Sequence, residues 1–411
     1  MKTYPEYGPA TEPWFPDTPA HWAAAPIWTL FTRESRRGYG EETLLSVYRE
    51  HGVVPRYSRD DNNNRASEDL SSYQLVEPGD LVVNKMKAWQ GSLSISNFRG
   101  IVSPAYFVYR PHHHADARFL HHLLRAQPLI AAYMGNSKGV RINQWDLEPQ
   151  SFSRLKLVLP PLGEQRAIAD FLDRETARID TLIEEQQRLV EMLRERREVE
   201  IRHTLLAGVD EAPTKSSGVA LLGEIPRHWH MVPARYLCTI TTGSEDSGNA
   251  SEDGQYPFYV RGREILSIDR YSFDGEAVMT PGDGQGGTGK VFHYFDGKFE
   301  AHQRVYVFKD FDGVTGPFFY YFLSTFLRPV ALAGSNTVTM ESLRRPLLAD
   351  FKVAVPPIDE QRRITEYLDE QTAKLDELVA QTECFIELSR ERRAALITAA
   401  VTGQIDVREV A

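Results

Sequence analysis

The sequence predicts an α+β protein: two mixed α/β domains separated by two long α-helices that pair as an antiparallel coiled coil. Three observations carry this expectation. The stretch PPLGEQRAIADFLDRETARID, beginning at Pro160, returns 196 residues later at Pro356 as PPIDEQRRITEYLDEQTAKLD. Each copy carries an apolar seam at helical spacing. The text ahead of each copy differs in its letters but shares an order of strands, glycine-bearing loops and short helices. Solenoid repeats recur every few tens of residues, so a period this long points instead to a tandem duplication of large halves.

Along the chain the shared order begins with PAHW at 19–22, matched by PRHW at 226–229. A leucine follows eight residues after each tryptophan, Leu30 and Leu237. Residues 77–96 (EPGDLVVNKMKAWQGSLSIS) align with 273–292 (FDGEAVMTPGDGQGGTGKVF), each reading as a strand, a polar glycine-bearing loop and a second strand. ARFLHHLLRAQPLIAAY and PFFYYFLSTFLRPVAL then read as short amphipathic or aromatic helices. GNSKGVRINQWDL and AGSNTVTMESLRR read as small-residue loops leading into a helical turn. LKLVLPP and FKVAVPP supply a strand that hands over to each long helix. The resulting boundaries are a first domain over 1–159, a first long helix over 160–211, a second domain over 212–355 and a second helix over 356–411.

In the first helix Ile168, Leu172, Ile179, Leu182, Leu189 and Leu193 advance by three, four or seven positions. Ile364, Leu368, Leu375, Leu378 and Phe385 do so in the second. That spacing makes a single seam close to heptad period. Proline pairs precede both helices, Asp359 is an expected N-cap, and Gly208 and Gly403 are expected C-terminal stops. Glu175, Gln186, Gln371 and Thr382 interrupt the seams, which argues against a self-sufficient parallel zipper and for pairing of the two helices with each other. Two independent surface helices are the alternative.

Composition fits an ordered globular chain: 411 residues, 42% hydrophobic and 11% aromatic. Cys238 and Cys384 are too few for a disulfide framework, which suggests a reducing cytosol, and no signal peptide or membrane-spanning run is visible. The net charge of −10 is unevenly placed. Lys+Arg against Asp+Glu is 18 to 16 in 1–159 and 14 to 16 in 212–355, but 8 to 13 in 160–211 and 7 to 12 in 356–411. The acidic excess therefore lies in the helices, which would repel DNA, while nearly neutral domains can still present a basic face.

The doubled PP-x-x-EQR-x-I helix, the P-x-HW element and the strand–glycine-loop–strand hairpin resemble the specificity subunit of type I restriction–modification systems, over residues 13–406. The resemblance implies that each domain is a target recognition domain reading one half of a bipartite double-stranded DNA target. It implies that the helices act as a spacer and dock two modification (methyltransferase) subunits, with restriction or translocase subunits as further partners. Glu164, Gln165, Arg166, Ile168 and Leu172, with Glu360, Gln361, Arg362, Ile364 and Leu368, are the helix positions it assigns to spacing and partner docking. It implies no catalysis and no cofactor in this chain; S-adenosylmethionine, ATP and magnesium would be used by the partner subunits, in the cytoplasm.

Motifs for chemistry in the chain itself are weak. GQGGTGKV at 284–291 begins like a phosphate-binding loop, but Val291 stands where a Ser or Thr would meet magnesium. The histidines at 112–114 and 121–122 lack a cysteine or carboxylate at ligand spacing and read as a surface turn and a helix face. An adenine methyltransferase should show Asn-Pro-Pro-Tyr or Asp-Pro-Pro-Tyr and F-x-G-x-G, and neither is present. Base edges are typically read by Arg, Lys, Asn and Gln. Loop residues of those types are Arg56, Arg59, Asn63, Arg65, Lys85, Lys87, Lys138, Arg141 and Asn143 in the first half, and Arg261, Arg263, Gln285, Lys290, Asn336 and Arg344 in the second. The competing readings are a coiled-coil adaptor with two protein-binding domains and a nucleotidase built on Lys290.

Overall fold

A computed structural model describes residues 3–49, 51–58, 69–141, 144–283, 289–333 and 343–408. The chain forms two compact units, Met1–Gln187 with Cys384–Ala411, and Arg188–Glu383. No helix among the described residues is long and apolar enough to cross a membrane.

In the first unit, strand Ala23–Pro26 pairs antiparallel with Lys156–Leu159. A four-stranded antiparallel sheet runs in the order Phe31–Glu34, Tyr106–Pro111, Leu81–Asn84, Leu93–Ile95. Successive side chains of a strand point to opposite faces. Leu81 and Val83 accordingly join the main core, whereas Val82 joins a smaller cluster with Val47, Val53 and Val108. The main core is closed by helix α1 (Ala117–Leu124), which buries Phe119, Leu120, Leu123 and Leu124, and by α2 (Gln127–Gly135). Asp116 caps α1, its carboxylate accepting from the amides of Arg118 (3.0 Å) and Phe119 (3.2 Å). The segment expected as a loop at 135–147 is instead a hairpin, Ser137–Arg141 against Gln144–Leu147, followed by α3 (Pro149–Arg154). Its glycines and serine read as loop chemistry, but buried Leu147 anchors the second strand and pairing satisfies the backbone.

Helix α4 (Leu162–Ala207) is 46 residues long and begins in the first unit and ends in the second. The second unit repeats the plan. His230–Pro233 pairs antiparallel with Lys352–Val355. Its sheet has six strands, ordered Thr239–Thr242, Val305–Lys309, Phe273–Pro281, His293–Ala301, Tyr256–Tyr259, Ile265–Ile268, with Tyr256–Tyr259 parallel to His293–Ala301. Helix α5 (Gly316–Ala333) packs Phe318, Phe319, Phe322 and Phe326 into the core. Short α6 (Arg345–Asp350) precedes the strand that leads to α7 (Ile358–Val401, 44 residues).

The long helices pair antiparallel within each unit. In the second unit Arg194 meets Glu383 (2.6 Å), Arg197 meets Asp376 (2.9 Å), and the Tyr367 hydroxyl donates to Glu200 (2.7 Å): numbers rise on one helix as they fall on the other. In the first unit Asp180 meets Arg393 (2.8 Å), and Ile168 and Leu172 share a core with Ala400 and Val401. The seam departs from expectation in both helices: in α4 Ile183 and Val190 are buried while Leu182, Leu189 and Leu193 are half-buried, and in α7 Leu378 and Phe385 are exposed while Ile386 is buried. A straight helix drifts about 20° per heptad from a 3.5-residue repeat, so the buried stripe leaves strict heptad positions. Asp359 also differs: α7 starts at Ile358, so this carboxylate lies in the first turn, where the helix dipole favours it, rather than at the cap. Gly208 and Gly403 do end the helices, at φ +79° and +73°.

The segments beyond the two helix ends are also alike. In the second unit one continuous stretch runs on past Gly208, with Arg227 donating its amide to Pro213 O (2.7 Å) and Thr214–Ser216 pairing with Glu224–Pro226. In the first unit the same place is filled by two stretches far apart in sequence. Tyr7 donates to Gly403 O (2.9 Å), Gln404 donates to Asp17 O (2.8 Å), and Tyr7–Gly8 pairs with Thr18–Pro19.

Candidate nucleic-acid interface

The duplicated sequence elements meet at the foot of each long helix. In the first unit the Glu164 carboxylate accepts from Trp22 Nε1 (2.9 Å) and from the Tyr4 hydroxyl, with His21 Nε2 at 2.8 Å. Burial and the neighbouring carboxylate push the Tyr4 hydroxyl far above its ordinary pKa, so it stays a donor. In the second unit Glu360 accepts from Trp229 Nε1 (3.1 Å), with His228 Nε2 at 2.9 Å. The next residue ties the helix to its domain. Gln165 accepts from the Asp116 amide (2.8 Å) and donates to Pro160 O (2.8 Å); Gln361 accepts from the Thr315 amide (2.8 Å) and donates to Pro356 O (2.8 Å).

This geometry changes the role of the repeated helix starts. Glu164, Gln165, Ile168, Leu172, Gln361, Ile364 and Leu368 are buried against their own domains, and Glu360 is nearly so. Their side chains are taken up by contacts within the chain. Of the ten positions only Arg166 and Arg362 are exposed.

Away from these junctions, each sheet contains a hairpin with several of the expected DNA-contacting residues on or beside it. In the first unit the turn after Asn84 holds Lys85 and exposed Lys87, and the Leu147 amide donates to Lys85 O (2.9 Å). That bond, with a Trp89–Trp145 ring contact at 4.9 Å, joins this turn to the hairpin carrying Lys138 and Arg141. Lys138 is exposed and 3.6 Å from Glu148. Arg56 is elsewhere, half-buried in a 3-10 turn before exposed Tyr57. Arg59, Asn63, Arg65, Asn143, Gln285 and Asn336 lie outside the described residues.

In the second unit the hairpin Phe273–Pro281/His293–Ala301 carries exposed Lys290 beyond its strands. The five residues before Gly289, most of the phosphate-loop-like string, are also outside the described set. Val291 is buried, and its carbonyl accepts from Thr280 Oγ1 (2.9 Å). His293 Nε2 lies 3.3 Å from Gly262 O, which brings the loop of Arg261 and Arg263 to the hairpin. The Leu343 amide donates to Gly282 O (2.6 Å), which brings Arg344 there as well. Arg304, missed from sequence, joins the group and pairs with Asp283 (3.0 Å). Arg261 and Arg263 are exposed and make no ion pair among the described residues. Burial and then Arg261 hold the nearby His302 below its ordinary pKa, so it adds no charge at neutral pH.

His121 behaves as a structural group. His121 is not on an open helix face: burial, then Arg125, lower its pKa to about 3, and Ser94 Oγ lies 3.0 Å from its Nδ1. No group of three or more His, Cys, Asp or Glu among the described residues could hold a metal ion.

Two alike helix junctions thus stand beside two unlike hairpins that gather Lys and Arg side chains. The chain belongs to the family of the type I restriction modification DNA specificity domain, whose profile matches residues 40–192 and 226–387. It is 30% identical to the type I restriction enzyme EcoDI specificity subunit of Escherichia coli over 183 residues, 44% of this chain and 40% of that protein. Two solved structures share the fold at 15% identity. One is a chain from a study of complex assembly and conformational transition of the type I R-M system, at a TM-score of 0.72, covering 94% of this chain and 99% of that one. The other is the HsdS subunit of Thermoanaerobacter tengcongensis, at 0.56, covering 96% and 100%.

Proposed function

We propose that this chain is the DNA sequence-recognition subunit of a type I restriction–modification complex, each domain reading one half of a bipartite target. The observation that carries this is the contrast between repeated helix junctions and divergent basic hairpin faces within one duplicated chain. Base edges are read in the major groove by a few side chains, so a single small domain specifies only a few base pairs. Two domains on paired helices read two such patches. The duplication also gives two like sites for two copies of a modification subunit. Methyl transfer and cleavage belong to partner subunits, which use S-adenosylmethionine, ATP and magnesium. Methylome sequencing of cells with and without this chain and its modification subunit tests the reading. A bipartite motif methylated only when both are present supports it; methyl transfer by this chain alone overturns it.

We further propose that α4 and α7 set the number of unread base pairs between the half-sites. One extra turn, four residues, near Arg188 and a matching turn near Cys384 lengthen the helices by about 6 Å at 1.5 Å per residue. At about 3.4 Å per base pair the methylated motif then keeps its half-sites with one or two more base pairs between them. Unchanged spacing in an active variant removes the helices from that role.

A further inference from the structure

The turn joining Leu81–Asn84 to Leu93–Ile95 is held far more tightly than a surface loop needs. The Met86 amide donates to Asn84 Oδ1 (3.2 Å), and the Met86 carbonyl accepts from Trp89 Nε1 (3.0 Å). Lys87 donates its amide to Asn84 O (3.1 Å), and its own carbonyl accepts from Gln90 (3.0 Å) and Ser92 (3.2 Å). Lys85 O is taken by the Leu147 amide, and the Trp89 ring is braced by Trp145 from the neighbouring hairpin. Gly91, at φ +87°, lies so close to α2 that a Cβ would meet Ile130 Cδ1 at 2.9 Å.

This fixed backbone holds Met86 42% exposed between Lys85 and Lys87, and neither lysine makes an ion pair among the described residues. An apolar side chain presented to water on a rigid turn, with a cation on either side, matches a surface that is apolar at its centre and anionic at its edges. The major groove has that pattern at a thymine, whose C5-methyl stands between phosphate backbones, and the groove admits a two-stranded β-ribbon.

We propose that this turn is the reading element of the first domain. Met86 packs on the C5-methyl of a thymine in the major groove, and Lys85 and Lys87 take flanking phosphates. Trp145 is a positioning residue that acts through Trp89. The proposal rests on the reading of the chain as a DNA-recognition subunit.

The test uses the complex with its modification subunits and duplexes carrying its bipartite motif, each thymine of the first half-site replaced in turn by uracil, which lacks the methyl group. One replacement weakens binding about fourfold, the factor equivalent to about 0.8 kcal/mol for one buried methyl group. Met86→Ala binds thymine and uracil duplexes equally and keeps its requirement for the second half-site. Trp145→Ala also flattens the difference, and Trp145→Phe restores it. Lys85→Gln with Lys87→Gln lowers the salt slope by about two phosphate contacts. Sequence-specific binding with no thymine–uracil difference, a difference retained in Met86→Ala, or a first half-site without thymine overturns this proposal alone. A wild-type complex with no sequence-specific binding overturns the recognition-subunit reading as well.

Discussion

At the foot of α4, Glu164 gathers Trp22, His21 and Tyr4; at the foot of α7, Glu360 gathers Trp229 and His228 in the same geometry. The hairpins of the same two units differ in their described residues. One is a short turn braced by a tryptophan pair on a four-stranded sheet. The other extends from nine-residue strands of a six-stranded sheet and gathers arginines from two further segments. A junction must satisfy buried donors, and few residue combinations can do so, which keeps the two copies alike. An exposed loop has no such constraint and is free to vary.

The largest expected effect separates the two junctions. Removing Glu164 strands two buried donors, Trp22 Nε1 and the Tyr4 hydroxyl, and removing Glu360 strands one, Trp229 Nε1, since His21 and His228 reach water. At about 1–3 kcal/mol for each buried group left unpaired, Glu164→Ala costs the first unit about 2 kcal/mol or more, and Glu360→Ala costs the second unit about 1. Hydrogen exchange read unit by unit measures both. Equal losses would remove Tyr4 as a distinguishing partner.

A second contrast is acid sensitivity. His121 has its pKa depressed from 6.5 to about 3, so between those values the unfolded chain binds a proton that the folded first unit refuses. Stability is therefore lost as pH falls through that window, at up to about 1.4 kcal/mol per pH unit. His121→Gln, measured by urea unfolding at several pH values, removes that slope. A variant as acid-sensitive as the parent would assign the effect to other groups, His122 first among them.

A smaller effect tests the second face. Arg261→Ala weakens binding by about 1–3 kcal/mol and relaxes one position of the second half-site if the guanidinium meets a guanine, whereas Lys290→Ala lowers the salt slope by about one if it meets phosphate. Titrations across salt concentrations separate the two roles. A change in the first half-site from either substitution would contradict the division between faces.

Much of this was legible in the sequence, for physical reasons. The helix pair showed through because Ile168, Leu172, Ile364 and Leu368 are all required by one core position each. The match of PAHW with PRHW was visible, but its purpose was not: nothing local says that Trp22 and Trp229 donate to carboxylates more than 130 residues away. The 137–147 hairpin is not legible in the sequence because glycine and serine signal a turn whether or not the flanks pair. Lys85 and Lys87 stand out in the sequence by their charge. Met86 and Trp145 do not, because single apolar residues in a loop carry no periodic signal.

Exchange of one domain tests whether the two domains read independently. Residues 1–159 are replaced by the matching domain of a relative with a different target, keeping the Trp22–Glu164 and Gln165–Asp116 partners. The methylome of cells carrying the hybrid with its modification subunits is then sequenced. The account predicts a motif whose first half is the donor's and whose second half is unchanged. A motif altered in both halves, or in neither, would contradict it.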